Sequence, residues 1–168
     1  KHLGTQVAVT AGSGEKLAAC RRLGADILIN YREENFADVL KNRCDRILDI
    51  IGAKYLDQNV TALAPDGHMV IIGMQGGVKG ELNIGKLLAK RGTISATALR
   101  ARSHDDKARI VADTIEHVWP LLADSTITHQ LHATLPLADA ARAHELLRSG
   151  AVTGTLVLNV CSNEASKG

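Results

Sequence analysis

The stretch Val7–Tyr31 constrains the chain more than any other, because its hydrophobic period changes twice over a short span. Val7 and Val9 sit in an apolar run that ends at Thr10, and Ala11-Gly12-Ser13-Gly14 has to turn the chain sharply before a helical pattern begins. Ser13 is placed to cap that helix, Leu17, Cys20 and Leu23 recur on one of its faces, and Gly24 stops it. Ile27–Ile29 then resume a β-rich run. Strand, glycine turn, helix, glycine stop and strand make a βαβ unit.

Lys16 is the odd residue of that unit. It falls in the first helical turn, where the macrodipole favours anions and a capping box calls for Glu or Gln. A bound anion resolves the conflict, since the Ser13 hydroxyl, the free first-turn amides and the Lys16 ammonium converge on one point suited to a phosphate monoester. In dinucleotide-binding folds the adenosine ribose lies at this strand end, where an Asp or Glu signals NAD. Thr10, Ala11, Gly12 and Ser13 supply no carboxylate, so the corner reads as a 2′-phosphate pocket and the cofactor as NADPH. The competing reading is an ordinary exposed lysine, tolerated at a cost of only ~0.3–1 kcal/mol.

The rest of the chain repeats the alternation. Helices are expected over Glu33–Lys41, with Phe36, Val39 and Leu40, and around Tyr55–Leu63. Buried strands are expected at Asp45–Ile51 and His68–Gly73, the second entered through a Pro65-Asp66-Gly67 turn. Gly76–Gly80 lacks fingerprint spacing and reads as a mobile surface loop, followed by a short helix at Ile84–Leu88 and a strand at Gly92–Thr97. One helix is expected over Asp105–Leu122, its broad apolar face of Ile110, Val111, Ile115, Val118 and Trp119 being core-like. A strand at Ile127–Leu135, a helix opened by Pro136 and closed by Gly150, and a strand at Thr155–Val160 complete the order, with a disordered tail after Cys161. The pattern is that of an α/β, doubly wound, mostly parallel Rossmann sheet with ligands at the carboxyl ends of its strands.

At 168 residues the chain is one domain's worth, and aromatic residues are only 2%, so an aliphatic core is expected and aromatic stacking on bases is not. A net charge of +2 without a basic stripe argues against nucleic acid. Cys20, Cys44 and Cys161 are too scattered for a disulfide framework or a zinc site, and no apolar run approaches the ~20 residues of a membrane span. A soluble, cytoplasmic protein without a metal is expected. No catalytic residue is assigned. His144 reads as a structural histidine near an apolar helix face, and His129 and His132 would point to opposite sides of one strand. Lys1-His2-Leu3-Gly4 resembles the last turn and glycine cap of a helix, so an earlier strand and its phosphate loop are expected upstream.

Several segments together resemble the zinc-independent quinone oxidoreductases of the medium-chain dehydrogenase/reductase superfamily. They are Thr10-Ala-Gly-Ser-Gly-Glu-Lys16, Leu23-Gly-Ala-Asp26, Ile29-Asn-Tyr-Arg-Glu-Glu34, Asp49-Ile-Ile-Gly52, Gly67–Gly73, Ala98-Leu-Arg-Ala-Arg102 and Ala140-Ala-Arg-Ala-His144. The Leu-Arg-x-Arg piece is similar to the p53-inducible subgroup. The resemblance covers nearly all of the chain to Val160, but only the carboxyl-terminal half of such an enzyme. It implies that Gly12, Ser13 and Lys16 hold a 2′-phosphate with Tyr31 beside the adenosine end. It also implies that Gly73, Met74, Gln75, Thr97, Ala98 and Leu99 line the nicotinamide end, chiefly through backbone groups.

The implied activity is hydride transfer from NADPH to a quinone or activated enone. An enoyl reductase module of a synthase and a non-catalytic dinucleotide-binding or structural protein are the alternatives. Residues 1–120 would form a partial coenzyme-binding domain without its first strand and glycine loop, 121–160 would return to a GroES-like substrate domain, and 161–168 would be the tail. One departure stands out: relatives commonly carry a basic residue in the turn before the last strand, where this chain has Gly154-Thr155. Strand edges left bare by a missing central strand favour a homodimer.

Overall fold

A computed structural model describes residues 1–160. Two units follow one another, the first spanning Lys1–Lys107 and the second beginning at Ala108.

In the first unit, β1 (Ala8–Ala11), α1 (Gly14–Arg22) and β2 (Ile27–Asn30) form the anticipated βαβ unit. The two strands pair in parallel from Ala8 opposite Ile27 to Ala11 opposite Asn30. Gly24, with φ +95°, lets the chain leave α1, and Asp26 ties the strand entrance by accepting from the Val7 amide at 2.7 Å. The Lys1 ammonium beside Asp26 and that amide hold its carboxyl below the usual range. Lys1–Gly4 forms a turn, the Gly4 amide donating to the Lys1 carbonyl at 2.8 Å.

The helix expected over Glu33–Lys41 is confined to α2 (Phe36–Val39). Asn30 and Asn35 explain the difference. The Asn30 carbonyl accepts from the amides of Glu33 and Glu34, and the Asn35 side chain accepts from the Ala37 amide, so a turn occupies the residues that helical periodicity had claimed.

A second parallel sheet has the order β3 (Cys44–Asp49), β4 (Leu63–Ile71), β5 (Thr93–Ala96). A 3-10 turn at Ala53–Tyr55 runs into α3 (Leu56–Ala62), and α4 (Ile84–Ala89) connects β4 to β5. The Pro65-Asp66-Gly67 turn is present as an irregularity within β4. Asp66 has φ +60°, and the register jumps there, from Cys44 opposite Leu63 to Arg46 opposite His68. Strand β3 was expected to be buried, yet Leu48 is 71% exposed. Among the described residues its one partner is β4, so β3 is an edge strand there. Neither β1 nor β3 pairs with the other.

The core of this unit joins β2 to α2 and α3. Ile29, Phe36, Leu40 and Ala62 are buried together, with Ile27, Val39, Cys44, Ile47 and Tyr55 packed around them. The Phe36 and Tyr55 rings meet at 5.2 Å between centroids and 60° between planes, within the favoured tilted geometry.

In the second unit the helix expected over Asp105–Leu122 is broken. Helix α5 ends at His117, having begun at His104 in the first unit, and α6 (Trp119–Ala123) follows. Pro120 falls in the first turn of α6, where its missing N–H costs nothing; in the interior of one long helix it would remove a hydrogen bond and clash with the preceding turn. The apolar face of α5 and α6 is not core: Val111 is 55% and Trp119 62% exposed. Periodicity reports a stripe, not what covers it.

Strand β6 (Leu131–Pro136) pairs in parallel with β7 (Thr155–Asn159). It begins later than expected because the Ile127 amide turns back to the Leu121 carbonyl at 2.8 Å. Pro136 ends β6, and a 3-10 turn at Leu137–Asp139 leads into α7 (Ala140–Ser149), which Gly150 closes in the left-handed region. His129 lies outside β6, His132 accepts from the Thr153 amide at 3.4 Å, and His144 is exposed rather than packed on the apolar face. The expected tail, including Cys161, lies outside the described residues.

Candidate functional site

Because β1 and β2 are parallel, their carboxyl ends lie at the same edge of the sheet. The Tyr31 amide donates to the Ala11 carbonyl at 3.2 Å, which carries the chain leaving β2 over the glycine turn leaving β1. Gly12 leaves room there for the side chains of Tyr31 and Arg32. A Cβ there would lie 2.5 Å from the Tyr31 hydroxyl, 2.8 Å from Tyr31 Cζ and 3.2 Å from Arg32 Nε.

Ser13 has extended backbone angles and caps α1, its hydroxyl accepting from the Lys16 amide at 3.3 Å. That bond fixes Ser13 and the half-buried Lys16 beside the Gly12 turn. The corner therefore brings Tyr31 to Gly12, next in sequence to Ser13 and the Lys16 amide it caps. It also contains Arg32, which sequence reasoning passed over.

Asn30 organises the chain beyond β2. Its Oδ1 accepts from the Arg32 amide at 3.2 Å while its Nδ2 donates to Glu33 Oε1 at 2.7 Å. The first-turn amides of Gly14 and Glu15 have no carbonyl within the helix to receive them, so they add positive potential on the same side. No acid stands between Thr10 and Ser13.

A second cluster lies at the carboxyl ends of β3, β4 and β5, and it is built from backbone. Asp49 is only 3% exposed, and its two carboxylate oxygens accept from the amides of Ile51, at 2.8 Å, and Gly52, at 3.0 Å. This folds the chain leaving β3 into a tight loop, with Gly52 at φ +76°.

Onto that loop settles the chain leaving β4. The Gln75 amide donates to the Ile50 carbonyl at 3.2 Å, the Gly76 amide to the Ile51 carbonyl at 2.7 Å, and the Ala53 amide to the Gly77 carbonyl at 3.1 Å. A Cβ on Gly73 would lie 2.7 Å from the Ile50 carbonyl oxygen, and one on Gly52 would lie 3.0 Å from that of Gly77. The segment expected as a mobile surface loop is thus tied to its neighbour at its start. Thr97, Ala98 and Leu99 continue β5 into the same edge, the Thr97 amide bonded to the Ile71 carbonyl at 3.1 Å. Arg102, the last residue of the Leu-Arg-x-Arg piece and given no site role in the sequence, donates to Thr97 Oγ1 at 2.9 Å. Met74, Gln75 and Leu99 present exposed side chains.

Elsewhere the polar groups serve the fold. Lys90 donates to the Thr61 and Leu63 carbonyls and so closes the carboxyl end of α3. Partial burial pushes its ammonium down, with the neighbouring Lys86 and Lys41 adding to the effect. Arg91 chelates Asp66 at 2.6 and 2.8 Å, lowering that carboxyl and raising its own pKa. Burial raises the Cys44 thiol, so it stays protonated and inert. His68 Nε2 and Ser95 Oγ lie 2.7 Å apart on adjacent strands. Among the described residues no cluster of three or more His, Cys, Asp or Glu could hold a metal ion, and no helix is long and apolar enough to cross a membrane.

Comparison with known proteins places this arrangement. A quinone oxidoreductase of Pseudomonas aeruginosa is 29% identical over 163 residues, covering 94% of this chain and 50% of that protein. A highly reducing polyketide synthase of Emericella nidulans is 29% identical over 173 residues, covering 98% of this chain but 7% of the synthase. The crystal structure of Escherichia coli quinone oxidoreductase complexed with NADPH superposes with a TM-score of 0.75 at 26% identity, over 94% of this chain and 50% of that one. The chain spans about half the length of the quinone oxidoreductases it matches. A family model described as zinc-binding dehydrogenase matches residues 23–158. The chain accordingly belongs to the zinc-binding dehydrogenase family of the medium-chain dehydrogenase/reductase superfamily, in which it corresponds to the carboxyl-terminal half of the quinone oxidoreductases.

Proposed function

We propose that this chain is the coenzyme-binding part of an NADPH-dependent quinone oxidoreductase. The observation that carries the reading is the β1–β2 corner, where Ser13, Lys16 and Tyr31 gather over a glycine turn that contains no acid. The residues fit the group: the capped first turn of α1 offers donors and positive potential to a 2′-phosphate. Ser13 and Lys16 would hold that phosphate and Tyr31 would flank the adenosine. Backbone groups of Gly73–Gln75 and Thr97–Leu99 would line the nicotinamide.

When bound, NADPH supplies the hydride, and the protein supplies position and electrostatics. The Asp49 carboxylate fixes the Ile50–Gly52 loop, and that loop fixes Gly73 and Gln75, so the second cluster presents a rigid surface of main chain. No residue of this chain is assigned a proton-transfer role. The substrate would be a quinone or activated enone, reduced without a metal. Residues 1–120 would belong to the coenzyme domain and 121–160 to the substrate domain, in a cytoplasmic homodimer.

The test is steady-state turnover by the full-length polypeptide that carries this chain, with NADPH or NADH and a small quinone. Faster quinone reduction with NADPH is expected, and indifference to the 2′-phosphate would overturn the cofactor assignment. The similarity to a polyketide synthase favours a second reading, an enoyl reductase module. Turnover of an α,β-unsaturated acyl thioester in place of the quinone would select it. NADPH binding with turnover of neither would select a non-catalytic dinucleotide-binding protein.

A further inference from the structure

We propose that Arg32 is a second cationic determinant of preference for a 2′-phosphorylated dinucleotide, acting on the phosphate together with Lys16. The inference rests on the cofactor reading above and adds a residue to it. Three observations converge. First, Arg32 Nε and the Tyr31 hydroxyl both lie within 3.2 Å of one point beside the Gly12 Cα, so the guanidinium reaches the glycine turn in the space a Cβ would take. Second, its backbone is held there: the Arg32 amide donates to Asn30 Oδ1 at 3.2 Å, directly after the strand pairing of Ala11 with Asn30.

Third, a nearby competitor is occupied. Glu33, the adjoining carboxylate, accepts from Asn30 Nδ2 at 2.7 Å, and among the described residues the Arg32 guanidinium meets no carboxylate. A guanidinium is always charged and presents a planar fork of donors that matches two phosphate oxygens at once. Lys16 approaches from the helix and Arg32 from the end of β2, so a phosphate at this corner would be met from two sides. A free ribose hydroxyl at the same place offers Arg32 no charge to pair with, which is why the residue would discriminate between cofactors rather than strengthen both.

The experiment compares NADPH and NADH dissociation constants, by titration calorimetry, for the full-length polypeptide carrying this chain and for its Arg32→Ala and Arg32→Lys variants. Arg32 is exposed, so neither change removes buried packing. The expected result is wild-type preference for NADPH, a loss of about tenfold in NADPH affinity in Arg32→Ala with NADH unchanged, and partial retention in Arg32→Lys. The NADPH constant of Arg32→Ala should also depend less steeply on salt than that of the wild type. Wild-type preference that persists undiminished in Arg32→Ala, or an equal loss for both cofactors, would overturn the role of Arg32 while leaving the cofactor reading intact. A wild type that binds both cofactors equally would overturn the cofactor reading and the role of Arg32 with it.

Discussion

The corner at the ends of β1 and β2 and the edge at the ends of β3, β4 and β5 are built on opposite plans. At the corner the proposed binding surface is one of side chains: the Tyr31 hydroxyl and Arg32 Nε meet beside Gly12, a glycine of ordinary conformation, and Ser13 caps α1 through the Lys16 amide. At the other edge the side chains of Met74, Gln75 and Leu99 are exposed, and the shape comes from main chain packed against main chain. A surface made of side chains can be retuned one residue at a time. One made of backbone tolerates changes in most of its side chains, but not the addition of a Cβ where two loops touch.

The largest expected effect tests whether either plan suffices in residues 1–168 by themselves. Among the described residues β1 and β3 each have one edge without a strand partner, and every backbone group left buried and unpaired costs ~1–3 kcal/mol. Residues 1–168 alone should therefore be unstable or recruit a strand from a second copy, with negligible NADPH affinity and no quinone reduction. A micromolar constant from a monomer by titration calorimetry would break this expectation.

Next in size is Gly73→Ala. Its Cβ would meet the Ile50 carbonyl oxygen, a backbone atom that cannot swing aside, so a loss of about 1–3 kcal/mol in urea denaturation is expected. Turnover with NADPH and NADH should fall together, and unchanged stability would show that the edge is softer than its packing implies.

Lys16→Ala sharpens the other side of the contrast. It should weaken NADPH binding by about 1.5–3 kcal/mol while hardly changing NADH, the signature of a lost charge-assisted contact. Equal losses would remove the 2′-phosphate from this corner. The smallest effect expected is none: chelation should leave the activity of the full-length protein intact. Stoichiometric zinc by elemental analysis, with activity lost on its removal, would place the protein among metal-dependent relatives.

How far the sequence was legible follows the same division. The βαβ unit and the Ser13 cap could be read because each depends on residues a few positions apart, and Ser13 does accept from the Lys16 amide. Arg32 could not, since its place over Gly12 is set by the pairing of Ala11 with Asn30 across two strands. The buried Asp49 stands within a recognised segment, but its service to Ile51 and Gly52 depends on a loop geometry that spacing does not encode. The break at Val118 was readable from Pro120 and was overridden by a long apolar stripe. Exposure of Leu48 and Val111 was not readable, because an apolar pattern records a face and not its neighbour.

The packing at Gly12 also bears on how cofactor preference can evolve. A Gly12→Asp exchange would introduce a carboxylate where an NAD-binding corner carries one, and its Cβ would evict the Tyr31 phenol and the Arg32 guanidinium in the same step. Both groups are mobile side-chain ends at the surface, so the backbone need not move to admit the newcomer. One codon change thus adds a determinant of one cofactor and displaces Arg32, a candidate determinant of the other. Preference at this position would change by a jump rather than through a series of intermediates.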